Sequence, residues 1–311
     1  MNMLTIYTYI KQSGYTYVKQ LVRGFSALIL IIVLGFSSSI SIAEESKAMK
    51  RPVLKVCADP ELMPFSNKKE EGLENKIAEL LAKDLGAELK YEWFPQRMGF
   101  IRNTLASLDN GEYKCDLVLS VPEHFELAAT TKPYYASTYS LVYIKGRGLD
   151  SVTEPDMLET LDKDGKEIIF GLFDRGPAQL WVFQRNLMDN MVPYQFQIGD
   201  ARKNPTEIIL NDLYDGKFDA TIVWGPTAAH YRKQNIDRGE MVILPLVDDP
   251  ILPEMKFVYN MSMAVRRGDS EWRDQLNQFI DKHQDDINAI ISSYGIPIVE
   301  VIPKPALEDD D

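Results

Sequence analysis

From Arg51 onward the chain alternates between two hydrophobic periodicities, and that alternation constrains its fold more than any other feature. Residues 53–58 form a short apolar run closed by Asp59-Pro60, as a buried strand would be. Residues 71–85 place Leu73, Ile77, Leu80, Leu81 and Leu85 on one helical face and stop at Gly86. Residues 89–94 alternate like a strand, residues 97–108 read as a helix halted by Asn110-Gly111, and residues 116–121 read as a buried strand closed by Pro122. The order βαβαβ predicts a parallel sheet with helices on both faces. A tyrosine-rich stretch, residues 133–144, leads into a crossover, after which the rhythm repeats. Strands are expected at 167–173, 194–198 and 218–224. Helices are expected after Gly176-Pro177, over 205–214 and from Pro226. Residues 257–265 read as a strand and 271–294 as helices that return to the first domain.

The first 43 residues read as an export signal outside the fold. Lys11, Lys19 and Arg23 precede an apolar run from Phe25 to Phe36 that is short for a membrane span, and Ser41-Ile42-Ala43 fits a small-x-small cleavage site. The competing reading is an uncleaved anchor. Otherwise the chain would meet a membrane only through this segment. Cleavage removes three of the 34 basic residues and none of the 46 acidic ones, taking the net charge from −12 to −15. Such a surface repels nucleic acid. An exported chain with two cysteines often joins them, and Cys57 and Cys115 are the candidates. If their strands are parallel neighbours, the two sulfurs stand at different heights, so the sequence leaves the disulfide open.

Several strings resemble the amino-acid-binding branch (family 3) of periplasmic solute-binding proteins. They are Asp59-Pro60 with Pro64-Phe65-Ser66, Gly72-Leu73-Glu74-Asn75-Lys76-Ile77-Ala78, Cys115-Asp116-Leu117-Val118, Thr131-Lys132-Pro133-Tyr134-Tyr135, Leu213-Tyr214-Asp215-Gly216-Lys217-Phe218-Asp219-Ala220 and Tyr294-Gly295-Ile296-Pro297. The resemblance implies a two-lobed α/β fold of the type II periplasmic binding protein kind. Each lobe would be a mostly parallel sheet flanked by helices, with a two-segment hinge between them. Lobe 1 would comprise residues 52–143 and 261–304, lobe 2 residues 144–260, and residues 305–311 an acidic tail. A narrower likeness lies in Val56-Cys57-Ala58-Asp59-Pro60, Met63-Pro64-Phe65-Ser66-Asn67, Lys132-Pro133-Tyr134-Tyr135 and the run Trp93-Phe94-Pro95-Gln96-Arg97-Met98-Gly99-Phe100-Ile101-Arg102-Asn103-Thr104-Leu105. These resemble the MoxJ/XoxJ-like binding proteins associated with quinoprotein dehydrogenases in methylotrophs. That group implies service to a periplasmic methanol dehydrogenase dependent on pyrroloquinoline quinone, with no cofactor held by this chain.

Ordinary members of the broad family hold an amino acid by an Arg after the third strand and an Asp at the end of a second-lobe strand. Here Ser120-Val121-Pro122-Glu123-His124-Phe125-Glu126 holds no Arg, and Trp224 stands where the acid is expected. Burying a zwitterion without partners costs several kcal/mol per ion, so free amino acids are poor ligands. The residues expected at the cleft are Asp59, Phe65, Gln96, Arg97, Ser120, Phe125, Tyr134, Arg175, Gln179 and Trp224. They suit a larger or less charged small molecule, or a peptide segment. For Phe65, Tyr134 and Trp224 the competing reading is packing beneath the cleft, and for Asp59 a turn cap. His124, His230 and His283 are too dispersed for a metal site, and Asp162-Lys163-Asp164-Gly165 lacks the further oxygen ligands of a calcium loop. Prephenate-type dehydratases share the broad fold, but only Glu123 and His124 offer acid–base chemistry and the anchoring Arg is missing. No catalytic residue is expected. A receptor for an ABC transporter remains the alternative to the dehydrogenase-associated role.

Overall fold

The computed structural model describes residues 51–163, 167–188, 190–196, 204–296 and residue 299. Residues 1–43, read as an export signal, residues 305–311, read as an acidic tail, and the end of the 162–165 run lie outside the described residues. In chain order the elements are β1 (Val53–Ala58), β2 (Glu61–Leu62), β3 (Ser66–Asn67), α1 (Leu73–Leu85), β4 (Glu88–Trp93), α2 (Phe100–Asn103), β5 (Leu108–Asp109), β6 (Glu112–Tyr113), β7 (Leu117–Pro122), β8 (Ala129–Thr130) and β9 (Tyr135–Ile144). They continue with α3 (Met157–Lys163), β10 (Phe170–Phe173), α4 (Pro177–Gln184), β11 (Met191–Tyr194), α5 (Pro205–Tyr214), β12 (Ala220–Trp224), α6 (Gly225–Gln234), a 3₁₀ turn, β13 (Met241–Pro245), β14 (Val258–Val265) and α7 (Ser270–Ser293).

The main sheet runs β11-β10-β12-β9-β14-β7-β1-β4, with β13 also on β9 and β8 on β14. The triads β4-β1-β7 and β11-β10-β12 are parallel, as the βαβ rhythm requires, while β9, β13 and β14 run antiparallel to their neighbours. The tyrosine-rich stretch is therefore a ten-residue strand rather than a loose crossover. Its first four residues pair with β14, and Tyr139 to Ile144 pair with β12 and β13. One core gathers β1, α1, β7 and α7 around Leu54, Ile77, Leu117, Trp272 and Ile287. Others gather β10, α4 and β12 around Phe170, Trp181 and Ile222, and α5 with α6 around Leu213 and Tyr231.

Two close approaches require glycine. Gly72 precedes α1, and a Cβ there would stand 2.1 Å from the Phe65 carbonyl oxygen. Its N–H is taken by Asn75 Oδ1 at 3.0 Å, so Gly72 and Asn75 together start the helix. Gly225 opens α6 against β9, where a Cβ would stand 2.7 Å from both Ser140 Oγ and Thr138 O. Helix α7 is pinned to the entry of β9 by Lys132 N–H donating to Asn277 Oδ1 (2.9 Å) and Gln284 Nε2 donating to the Tyr134 carbonyl (2.8 Å). Its φ/ψ leave the helical range at His283, whose ring reaches Asp84 on α1 (3.0 Å) and Asp286 (2.9 Å).

Three local expectations are corrected. The helix expected over 97–108 is a single turn, α2, followed by the β5–β6 hairpin. Gly99 sits at φ +87° before it, and Thr104 leaves the helical range after it while its hydroxyl donates back to Phe100 O at 2.7 Å. The strand expected at 194–198 is Met191–Tyr194, an edge strand whose position tolerates the missing N–H of Pro193; residues 197–198 lie outside the described residues. The strand β13 was not expected at all.

A buried ion cluster fastens the segment before β14. Arg185, with a side chain 7 % exposed, meets Asp249 (5 % exposed) at 2.7 Å and Asp156 at 2.8 Å, over the Trp181 ring at 3.9 Å. Removing one partner strands the other charge. Arg185→Met is expected to lower the unfolding free energy by roughly 3–5 kcal/mol, and Arg185→Met with Asp249→Asn is expected to recover part of that loss. Urea denaturation of both variants checks this.

Candidate functional site

The C-terminal ends of the parallel strands carry the residues expected at the cleft. On the opposing β14, one residue separates Ser262 from Ala264, where β7 has two between Val118 and Val121. This is a bulge on β7, and it holds Ser120 at φ +51°. The bulge turns Ser120 toward Tyr134: its N–H donates to Tyr134 Oη at 2.9 Å, and its Oγ lies 3.1 Å from the same hydroxyl. Tyr134 is 1 % exposed and belongs to the core, as the competing reading for it had it. Phe65, 8 % exposed, is likewise a core residue.

Between these groups lies Glu74, in the first turn of α1 and only 6 % exposed. Burial pushes its carboxyl up to about 8; a hydrogen bond with Ser120 opposes the rise, and the charge of Asp59 adds to it. Asp59, Ser120 and Tyr134 are thus brought together around an acid that the residue pattern did not single out. The visible signal was the Gly72-Leu73-Glu74-Asn75 start of α1, where a glutamate on the buried side of a helix is out of place. Asp59 itself caps turns: Oδ1 accepts from Glu61 N–H (2.8 Å) and Oδ2 accepts from Gln96 N–H.

The expected clamp for a zwitterion is missing in structure as well as in sequence. No helix follows β7; residues 123–128 are turns, with His124 at φ +60°. Trp224, at the end of β12, is half-buried and packs edge-on against Tyr139 (centroids 5.4 Å apart) and Tyr259 (5.9 Å). Both tyrosines come from the strands that join the two halves, and sequence reasoning missed both. Burial raises Tyr139 to about 12, with Tyr259 contributing, so this aromatic group is neutral at ordinary pH. Arg175, at φ +60°, is exposed, and its N–H donates to Gln179 Oε1 at 2.8 Å. Gln179 is thereby occupied in holding the turn before α4. Gln96 and Arg97 are exposed on the loop after β4, which the Gln96 N–H ties to Asp59, and Phe125 packs on the small core that contains the cysteines.

Cys57 and Cys115 form a disulfide with Cα atoms 5.5 Å apart. The register pairs Cys57 with Val118. A straight run back to residue 115 would separate the two by about 10 Å along the sheet. Cys115 instead precedes β7, in a segment that folds back, which removes the objection raised by strand heights. Among the described residues no group of three or more His, Cys, Asp or Glu could hold a metal ion, and no helix is long and apolar enough to cross a membrane.

Glu74 has a consequence for stability. A carboxyl raised in the folded state keeps a proton that the unfolded chain releases above 4.5, so its contribution is most favourable below that pH and declines as pH climbs toward about 8. Relative to wild type, Glu74→Gln is expected to gain on the order of 10 °C in Tm between about pH 5 and pH 8.5. A difference between the two proteins that stays flat across this range contradicts the buried-acid assignment.

Residues 54–296 match the family of bacterial extracellular solute-binding proteins, family 3. Protein MoxJ of Paracoccus denitrificans is 27 % identical over 267 residues, spanning 79 % of this chain and 89 % of the relative. The solved structure of the periplasmic binding protein XoxJ from Methylobacterium extorquens AM1 superposes with a TM-score of 0.63 at 30 % identity, covering 80 % of this chain and 100 % of that one. An ancestral arginine-binding protein bound to glutamine shares the fold, with a TM-score of 0.51 at 21 % identity over 79 % of this chain and 99 % of that one. The chain belongs to the family 3 extracellular solute-binding proteins, with the two-lobed type II fold, and within them it is MoxJ/XoxJ-like.

Proposed function

We propose that this protein is a periplasmic accessory binding protein of a methanol dehydrogenase dependent on pyrroloquinoline quinone, assisting that enzyme's maturation, activation or assembly. The observation that carries this reading is the chemistry of the cleft. No guanidinium follows β7, Trp224 packs with Tyr139 and Tyr259 at the end of β12 where the carboxylate is expected, Glu74 is largely protonated, and the Asp59 carboxylate is taken by the Glu61 and Gln96 N–H groups. Such a set does not supply the paired charges that an amino acid zwitterion needs. The likeness to MoxJ and XoxJ along nearly the whole exported chain supports the same reading. On this account Asp59, Phe65, Ser120, Tyr134 and Trp224 shape or support the cleft, and export with cleavage after Ala43 delivers the chain to the periplasm. The chain performs no turnover of its own, and no nucleic acid takes part.

A second reading has its own observation in favour. Tyr139 and Tyr259 lie on the strands that join the two halves and Trp224 of β12 packs against both, so a small neutral or aromatic solute there would bridge the lobes and draw them together. The protein would then be the receptor of an ABC transporter for a solute other than an amino acid. Native mass spectrometry of the exported chain, alone and mixed with its host's quinoprotein methanol dehydrogenase, separates the two. A bare chain that forms a complex is the expected result. A retained small molecule without a complex assigns the receptor role. Calorimetry with the twenty amino acids at millimolar concentration is expected to give no binding heat.

A further inference from the structure

In the run from Trp93 to Leu105, most side chains have a structural occupation. Trp93 stacks on Tyr91 with centroids 4.6 Å apart, and the Phe94 and Phe100 rings meet at 6.4 Å. Phe100, Ile101 and Leu105 are buried in the core that contains the disulfide. Asn103 Nδ2 donates to Gly99 O at 2.9 Å, Thr104 Oγ1 donates to Phe100 O at 2.7 Å, and the Gln96 N–H is held by Asp59. Four exposed side chains have no such occupation, Gln96, Arg97, Met98 and Arg102, and the last three carry the charge and the apolar surface. Met98 is 87 % exposed. A Cβ on Gly99 would stand 3.3 Å from Arg102 Nη2, so the Arg102 guanidinium lies over the same loop that carries Arg97 and Met98.

The charge setting bears on this trio. Acidic residues outnumber basic ones 46 to 34, and Arg51, Arg185, Arg238, Arg266 and Arg273 each meet a carboxylate. Among the described residues Arg97 and Arg102 meet none, as is also true of Arg147, Arg175, Arg232 and Arg267; what sets the pair apart is that both lie on one loop with an exposed methionine. The loop is fixed from beneath by Phe94 N–H donating to Ala58 O (3.0 Å), by Asp59 and by the disulfide core, so little ordering remains for a partner to impose. Two unpaired guanidinium groups flanking an exposed methionine match an acidic protein face with an apolar recess. Arg and Met are enriched at interface centres, and each guanidinium can take a carboxylate by two hydrogen bonds.

We propose that Arg97, Met98 and Arg102 form the docking point of this protein for an acidic face of its partner enzyme; the partner's identity rests on the accessory role proposed above. The test compares the exported chain with Arg97→Glu/Arg102→Glu and with Met98→Ala, binding each to the purified dehydrogenase by biolayer interferometry at low and at physiological salt. Circular dichroism melts check that the exposed substitutions leave the fold intact. Charge reversal is expected to weaken binding by about tenfold or more and to flatten its salt dependence, while Met98→Ala is expected to weaken it at both salt concentrations. If wild type binds and the reversed variant binds equally well, the docking point is wrong and the accessory role stands. If wild type does not bind the dehydrogenase, both fall. Salt-sensitive retention on phosphatidylglycerol vesicles that is lost in the reversed variant, without binding to the enzyme, overturns the assignment in favour of a lipid surface.

Discussion

Strand β9 is the constraint on which the rest of the structure depends. Its ladder of hydrogen bonds changes partners between Thr138 and Tyr139, from β14 on one side of the point to β12 and β13 on the other. The two halves are therefore not beads on a linker. Each completes its sheet with part of the same strand, and the backbone polar groups of that strand are satisfied only when both halves are folded. The close contact of Gly225 with Thr138 and Ser140 places the start of α6, and with it Trp224, at the point of exchange. Tyr139 and Tyr259 stand on the strands that meet there. Whatever touches this aromatic group touches the hinge.

This placement explains why the cleft can abandon the charges that hold an amino acid and still keep the fold. The bulge in β7 directs Ser120 inward to Tyr134, and Glu74 fills the space beside it as a carboxylic acid instead of a carboxylate. A charged clamp must be positioned to within fractions of an ångström to offset desolvation, and losing one member leaves the other stranded. A site without such a clamp has no such dependence. It is tolerant of shape, which suits a partner segment or a weakly polar molecule better than a small ion.

The inner strands of the parallel triads, such as β7, were legible from hydrophobic periodicity because they are buried on both faces, and α1 presents one apolar stripe at Leu73, Ile77 and Leu81; the edge strand β11, only half-buried, was placed three residues late. The helix read over 97–108 fails for a local reason. Phe100, Ile101, Thr104 and Leu105 are spaced as on a helical face, yet the face they fill is a corner of the disulfide core, reached by one helical turn between a left-handed Gly99 and a back-bonded Thr104. Strand β13 escaped notice because its residues are mostly half-buried and carry no alternation. In the candidate site, single residues at strand ends were visible, but their company was not. Tyr139, Tyr259 and Glu74 lie far apart in sequence from the groups they meet, and only the strand register joins them. Tyr134 and Phe65 have aromatic side chains near the cleft in sequence and lie beneath it in space, a distinction that periodicity does not make.

Asp59 links the two surfaces that the chain offers. One carboxylate oxygen fixes the N–H of Gln96 and so the loop that presents Arg97 and Met98; the same charge bears on Glu74 at the cleft. A displacement of the loop that drew Gln96 away would leave that oxygen without its donor, and the carboxylate would find another partner only by moving. Such a movement changes the field at Glu74. The strand end at Asp59 thus stands between the outer loop and Glu74, touching the first through a hydrogen bond and the second through its charge.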